Sequence, residues 1–187
     1  MYESSNPIAI RSKQIITDTL LNLMKEIPFE EITVKLILLE SGLSRKTFYR
    51  NFESKEDVLD SFIRQKMNEY ATRLLSRQYT NFASIIDVIF EFCEENKELI
   101  ILLDKHDLLM RLLKIGNEVM PEHHRRFTTF EGEEDPMVEY ILFFNTGCLF
   151  NVLFKWVKDG MKIPASVIRD GIMAYISNIS NINLTTI

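Results

Sequence analysis

The feature that most constrains this chain is a glycine set between two helical repeats, in TVKLILLESGLSRKTFYRNFESK from Thr33 to Lys55. Val34, Ile37, Leu38 and Ser41 keep helical spacing up to Gly42, the residue type that takes the positive φ of a helix end most cheaply. Leu43 anchors the turn and Ser44 stands where a cap is wanted. Phe48 and Phe52 then recur on one face of a second, short helix, which leaves Arg45, Lys46, Thr47 and Arg50 pointing outward. From Gly42 to Lys55 four basic side chains stand against a single acid, Glu53. A tight turn followed by a capped basic helix suits entry into a DNA major groove. An ordinary helical hairpin with solvated charges has the same spacing.

The flanking residues extend the pattern. Asn6-Pro7 starts a first helix whose stripe is Ile16, Leu20, Leu23 and Ile27, ending before Pro28. Phe29 and Ile32 bracket a short connection, and Thr33 either caps the next helix or contacts a phosphate. Ser54 with Asp57 three positions on approximates a capping box. From there Val58, Leu59, Phe62, Ile63, Met67, Tyr70, Ala71, Leu74 and Leu75 keep a helical beat for about five turns.

Thr33-Val34, Ser41-Gly42-Leu43-Ser44, Thr47-Phe48-Tyr49, Phe52 and Ser54-Lys55-Glu56 together resemble the DNA-binding domain of the tetracycline-repressor-like (TetR) family of transcriptional regulators. The resemblance covers roughly residues 10 to 60. It implies an all-α fold: an N-terminal three-helix helix-turn-helix domain over residues 1–54, joined by a long helix to a ligand-binding and dimerising bundle over residues 55–187. It also implies that Thr33, Ser44, Arg45, Lys46, Thr47, Tyr49, Arg50, Asn51 and Lys55 face DNA. By position, Arg45, Lys46 and Thr47 reach base edges, while Thr33, Tyr49, Asn51 and Lys55 hold phosphates.

Charge supports this division. The net charge of −5 and pI near 5.3 argue against nucleic acid when averaged over the chain. Residues 1–66 balance their acids and bases, so the whole negative excess falls on residues 67–187, away from the basic helix.

The second half reads as further helices. Phe82, Ile85, Ile86, Ile89, Phe92 and Cys93 form one stripe; the blocks Leu99–Leu103 and Leu108–Ile115 are two helices separated by a corner at DKHD; Met120-Pro121 ends the second. His106 at that corner has no nucleophile within sequence reach and is expected to be structural or solvated, not a catalytic base. Residues 121–136 lack periodicity and read as a loop. Its His123-His124 pair has no third ligand at metal spacing, so no metal site is expected. Residues 137–158 are apolar nearly all round and must be buried on more than one side. Phe143, Gly147, Phe150 and Phe154 form a stripe along them, with Gly147 allowing a partner helix to come close. A last helix opened by Pro164 carries Ile168, Ile172 and Tyr175.

Both of these helices carry more apolar surface than one small bundle can cover, which predicts a two-fold dimer through Phe143, Gly147, Phe150, Phe154, Ile168, Ile172 and Tyr175. The series Phe144, Gly147, Trp156, Gly160 and Pro164 resembles the end of the same family's ligand-binding domains, whose last two helices pair with their copies. The thirteen Phe and eight Met suit an adaptable apolar pocket, with Phe90, Phe92, Met110, Phe144 and Cys148 as candidate lining residues.

Two cysteines, Cys93 and Cys148, far apart in apolar surroundings, make neither a disulfide framework nor a zinc spacing. No basic-then-apolar leader opens the sequence, and no run approaches the roughly 18 apolar residues of a membrane span, so a cytoplasmic protein is expected. With no nucleophile elbow, phosphate-cradling loop, paired carboxylates or ligand cluster, the chain is read as a non-enzyme without cofactors. The expected function is a homodimeric regulator, a repressor, bound to a pseudo-palindromic operator on double-stranded DNA and released by a small apolar effector. The alternative is an effector-independent DNA-binding protein acting through a protein partner.

Overall fold

A computed structural model of the 187-residue chain describes residues 7–76, 82–124 and 136–180, and all regular structure among them is helical. Helix α1 spans Pro7–Glu26. A 3-10 turn at Phe29–Glu31 leads into α2, Val34–Ser41, and α3, Arg45–Asn51. Helix α4, Lys55–Ser76, runs without a break from this N-terminal head, α1 to α3, into a body of later helices. The body consists of α5 (Phe82–Glu95), α6 (Lys97–Lys105), α7 (Leu109–His124), α8 (Pro136–Lys158) and α9 (Ala165–Ser180).

Local chemistry sets the boundaries of the first half. Pro7 occupies the first turn of α1, where no amide donor is required of it. Thr33 Oγ1 accepts the Leu36 N–H at 3.2 Å, Ser44 Oγ accepts the Thr47 N–H at 3.1 Å, and Ser54 Oγ accepts the Asp57 N–H at 3.1 Å. Each hydroxyl thus satisfies a donor that the helix itself leaves free. Asp57 accepts the Glu53 N–H at 2.9 Å, one residue before the Ser54 cap whose N–H a capping box would engage, so the reciprocal bond is shifted by one position. Gly42 closes α2 with φ of 66° while its N–H bonds Leu38 O at 3.1 Å.

The head's core is built from Ile16, Leu20, Met24, Phe29, Ile32, Ile37, Phe48 and Phe52, all buried. The inward stripe of α1 therefore runs through Met24. Leu23 and Ile27, expected on it, are only partly covered, because four-residue steps from Ile16 and Leu20 carry the inner face to position 24.

In the body α4 lies against α7, α7 against α8, and α5 against α9. Helix α7 does not end at Met120-Pro121 but continues to His124; a proline near a helix end removes one amide donor without preventing the final turn. The remainder of the expected loop, residues 125–135, lies outside the described residues, as do the side chains of His123 and His124. Among the described residues no cluster suited to a metal ion occurs.

The glycine that brings two helices together is Gly116 of α7. A Cβ built there would sit 2.8 Å from the ring of Phe150 on α8, so α8 seats an aromatic ring directly on the α7 backbone. A Cβ at Gly147 would meet nothing within 4 Å. Helix α8 also corrects the expectation about membrane spans: residues 139–158, with mean hydropathy 1.3, are long and apolar enough to cross a bilayer. Its inner face, Leu149, Phe150, Leu153, Trp156 and Val157, is buried in this bundle.

The corner between α6 and α7 ties the body to the head. His106 N–H bonds Leu103 O, Asp107 N–H bonds Asp104 O, and Leu108 N–H bonds Leu103 O at 2.8 Å, a Schellman closure with Asp107 at φ 57° where glycine is usual. His106 is buried, with Nε2 2.7 Å from Met24 O and Nδ1 accepting the Phe29 N–H at 3.3 Å. Beside it Lys105 Nζ donates to Lys25 O at 2.8 Å. The corner histidine is structural, and the end of α1 is its partner.

Candidate nucleic-acid interface

Helix α3 is held from below by aromatic packing. Phe48 is fully buried, its ring 5.3 Å from Tyr49 in an edge arrangement and 6.2 Å from Phe52. With that face fixed, Arg45, Lys46, Tyr49 and Arg50 are exposed together on the opposite side. The Arg45 guanidinium lies over the Tyr49 ring at 5.4 Å, which orients a cation at the first turn of the helix. Three positive charges and a phenol on one short helix make a surface for phosphates and for guanine edges.

The other residues expected to touch DNA have local partners. Ser44 and Thr33 are caps, and the Ser44 and Thr47 hydroxyls are 2.9 Å apart. Asn51 Nδ2 donates to Thr47 O at 2.7 Å. Lys55 is the clear departure. Its Nζ donates to Phe29 O at 2.6 Å, Glu30 O at 3.0 Å and Ile32 O at 2.8 Å, and it stands 4.6 Å from the centre of the Phe29 ring. An ammonium has three donors, and all three are spent on the carbonyl end of the 3-10 turn, so none is left to hold a phosphate. The proximity of residue 55 to residues 29–32 is a tertiary contact that no local pattern encodes.

Expectations for the body need more revision. Of the residues assigned to an effector pocket only Phe92 lines the apolar cavity enclosed by α4, α5, α6, α7 and α8, together with Met67, Tyr70, Leu112, Phe150 and Leu153. Phe90 is buried but packs edge-on against Trp156 at 4.9 Å. Met110 and Phe144 are 64% and 68% exposed, and Cys148 is exposed too, so these three face away from the core. The cavity measures about 30 Å³, room for a water or two and far below the few hundred Å³ of a drug-sized site.

On α8 the expected dimer stripe divides. Phe150 is 4% exposed, committed to Gly116, and so belongs to the core; Phe154 is half-buried with its ring 5.8 Å from Phe150. Phe143 is exposed and Gly147 opens onto space. On α9, Ile168 and Ile172 are partly buried against the core while Tyr175 is exposed. Left exposed are the apolar residues Tyr140, Phe143 and Phe144 on α8 and Val167, Tyr175 and Ile176 on α9.

Comparison with known proteins agrees with the geometry of the head. Residues 16–62 match the family model of the bacterial regulatory proteins of the tetR family. No curated protein matches the sequence. Among solved structures, Lin0861 from Listeria innocua superposes with a TM-score of 0.75 at 12% identity, over 96% of each chain. A TetR transcriptional regulator from Streptococcus agalactiae gives 0.56 at 20% identity, covering 91% of this chain and 94% of its own. The transcriptional regulator FadR from Bacillus subtilis, in complex with stearoyl-CoA, gives 0.52 at 20% identity, covering 86% and 95%. The basic, capped helix α3 lies within residues 16–62, which match the tetR-family regulatory-protein model, and the chain shares the all-helical fold of these solved structures.

Proposed function

We propose that the chain acts in the cytoplasm as a homodimeric repressor that reads a pseudo-palindromic operator, with residues 1–54 as its reading head and 55–187 as its dimerising body. The observation that carries the DNA reading is the exposed group Arg45, Lys46, Tyr49 and Arg50 on α3. Arg45 and Lys46, on the first turn, reach base edges; Tyr49 and Arg50 follow the backbone. The uncovered apolar residues of α8 and α9 support a two-fold pairing, in which two recognition helices stand about 34–36 Å apart, one turn of the duplex. A duplex selected from a random pool on the wild-type protein tests this. The expected outcome is an inverted repeat bound by two chains; a single asymmetric site bound by one chain refutes it.

Release by a small apolar effector is supported by the almost wholly apolar cavity under α4 and by the acyl-CoA held by a regulator of similar fold. The size of that cavity favours a second reading, an effector-independent regulator that works through a protein partner. Titration of the operator complex with long-chain acyl-CoA and free fatty acids separates them. Release of DNA at micromolar ligand supports the first reading, and an unchanged complex supports the second.

A further inference from the structure

We infer that His106 is a positioning residue for DNA binding, and that it holds the reading head against the body only as the neutral imidazole with its proton on Nε2. Both ring nitrogens are taken by backbone groups of the head. The Phe29 N–H donates to Nδ1, which must therefore be the bare nitrogen; the proton is then on Nε2 and is given to Met24 O. No other protonation state serves both bonds. A second proton on Nδ1 would face the Phe29 N–H, donor against donor, in a site where His106 and Phe29 are both buried.

The surroundings show how much the chain invests in this corner. Asp107 takes a left-handed conformation, unusual for a residue with a side chain, and the turn it closes presents the imidazole to the end of α1. Lys105 and Lys55 bind four further carbonyls of the same segment, those of Lys25, Phe29, Glu30 and Ile32. Residues 24–32 are thus gripped from the body by α6 and from the start of α4. They lie directly before α2, and α1 packs on both α2 and α3. Loosening the grip changes the angle at which α3 is offered to DNA.

The ionisable groups on the elements around the imidazole are Lys25 and Glu26 on α1, Glu30 and Glu31 on the 3-10 turn, Lys55, Glu56 and Asp57 at the start of α4, and Asp104, Lys105 and Asp107 beside it. Neither ring nitrogen is bonded to a carboxylate. A ring carrying a second proton would lose the Phe29 bond, and on this inference that loss of grip weakens DNA binding.

The inference rests on the DNA-binding reading, and its test is chosen to separate the two. Affinity for the selected duplex is measured between about pH 8 and pH 5 for wild type, His106→Gln and His106→Ala, spanning the range in which histidine changes charge. Gln offers a donor and an acceptor but cannot ionise. His106→Gln should bind within about threefold of wild type at the upper pH and lose most of the wild type's acid sensitivity, whereas His106→Ala, which leaves the Phe29 N–H unpaired, should bind about tenfold more weakly throughout. Nitrogen shifts of the wild-type imidazole should show the Nε2–H form, and exchange of the Phe29 amide should quicken with acid in wild type but not in His106→Gln. These last readouts need no DNA and no Ala variant, so they stand if the Ala variant unfolds or if the chain fails to bind any duplex. Equal acid sensitivity in wild type and His106→Gln, an Nδ1–H imidazole, or wild-type affinity in a folded His106→Ala overturns the inference.

Discussion

The reading head and the body are both all-helical, yet different physics sets their structure. In the head three caps fix where α2, α3 and α4 start and one glycine fixes where α2 stops, and the short α2 and α3 leave little choice about which residues point inward. In the body long apolar helices meet over broad surfaces, and tertiary pairing decides which side of each is core. Helix α8 makes the contrast plain: Phe150 is buried against Gly116 while Phe143 and Phe144, also apolar, are exposed.

If the contrast is sound, the largest effects come from each region's central aromatic. Phe48→Ala should cost about 3–5 kcal/mol by emptying the head's core. Amide exchange should then rise through α1–α3 while α8 stays protected; uniform loss of protection would show that the two regions melt as one unit. In the body, Gly116→Val drives a branched side chain into the Phe150 ring and should cost about 1–3 kcal/mol, read from the urea midpoint. Gly147→Leu, where a side chain meets open space, should leave the isolated fold intact and act only on association, read by sedimentation. A Gly147→Leu chain as unstable as Gly116→Val would reverse the assignment of inner and outer faces.

Smaller effects separate two lysines that look alike in sequence. Lys55→Ala should lower stability by about 1–2 kcal/mol, since it strands carbonyls at the end of the 3-10 turn, while leaving the salt dependence of DNA binding unchanged. Lys46→Ala should change stability by less than about 0.5 kcal/mol yet weaken the preferred duplex by about 1–3 kcal/mol. Parallel losses in both assays for both variants would abolish the distinction. Smallest is a difference in thiol chemistry. Burial pushes the Cys93 thiol up to about 12, so at neutral pH an alkylating reagent should modify exposed Cys148 and spare Cys93 until the chain unfolds. Modification of Cys93 in the native protein would mean that the α5 core opens readily.

What could be read beforehand follows the same line. Thr33, Gly42, Ser44, Ser54 and Asp57 act on neighbours three or four residues away, so their roles are visible in local spacing. The partners of Lys55 lie 23 to 26 residues back, and those of His106 lie 77 and 82 residues back. No periodicity reports on such distances. Most of the expected pocket residues, and Phe150 of the expected dimer stripe, were misplaced for a related reason: a helix apolar on every side has no preferred direction until its neighbours are placed. Phe150 joins the core because Gly116, the glycine under its ring, belongs to a different helix.

Helix α4 belongs to both regions, with its first residue bonded to the 3-10 turn and its later turns against α7. Its 22 residues make a rod about 33 Å long. Pivoting such a rod by about 10° at its far end carries the near end sideways by about 6 Å, more than the 3.4 Å step between successive bases on a strand. Two such rods in a symmetric pair would add their displacements. Under the proposed DNA-binding reading, a modest repacking beside α7 would therefore move α3 by more than one base step, and stiffness along α4 would decide how well DNA stays occupied.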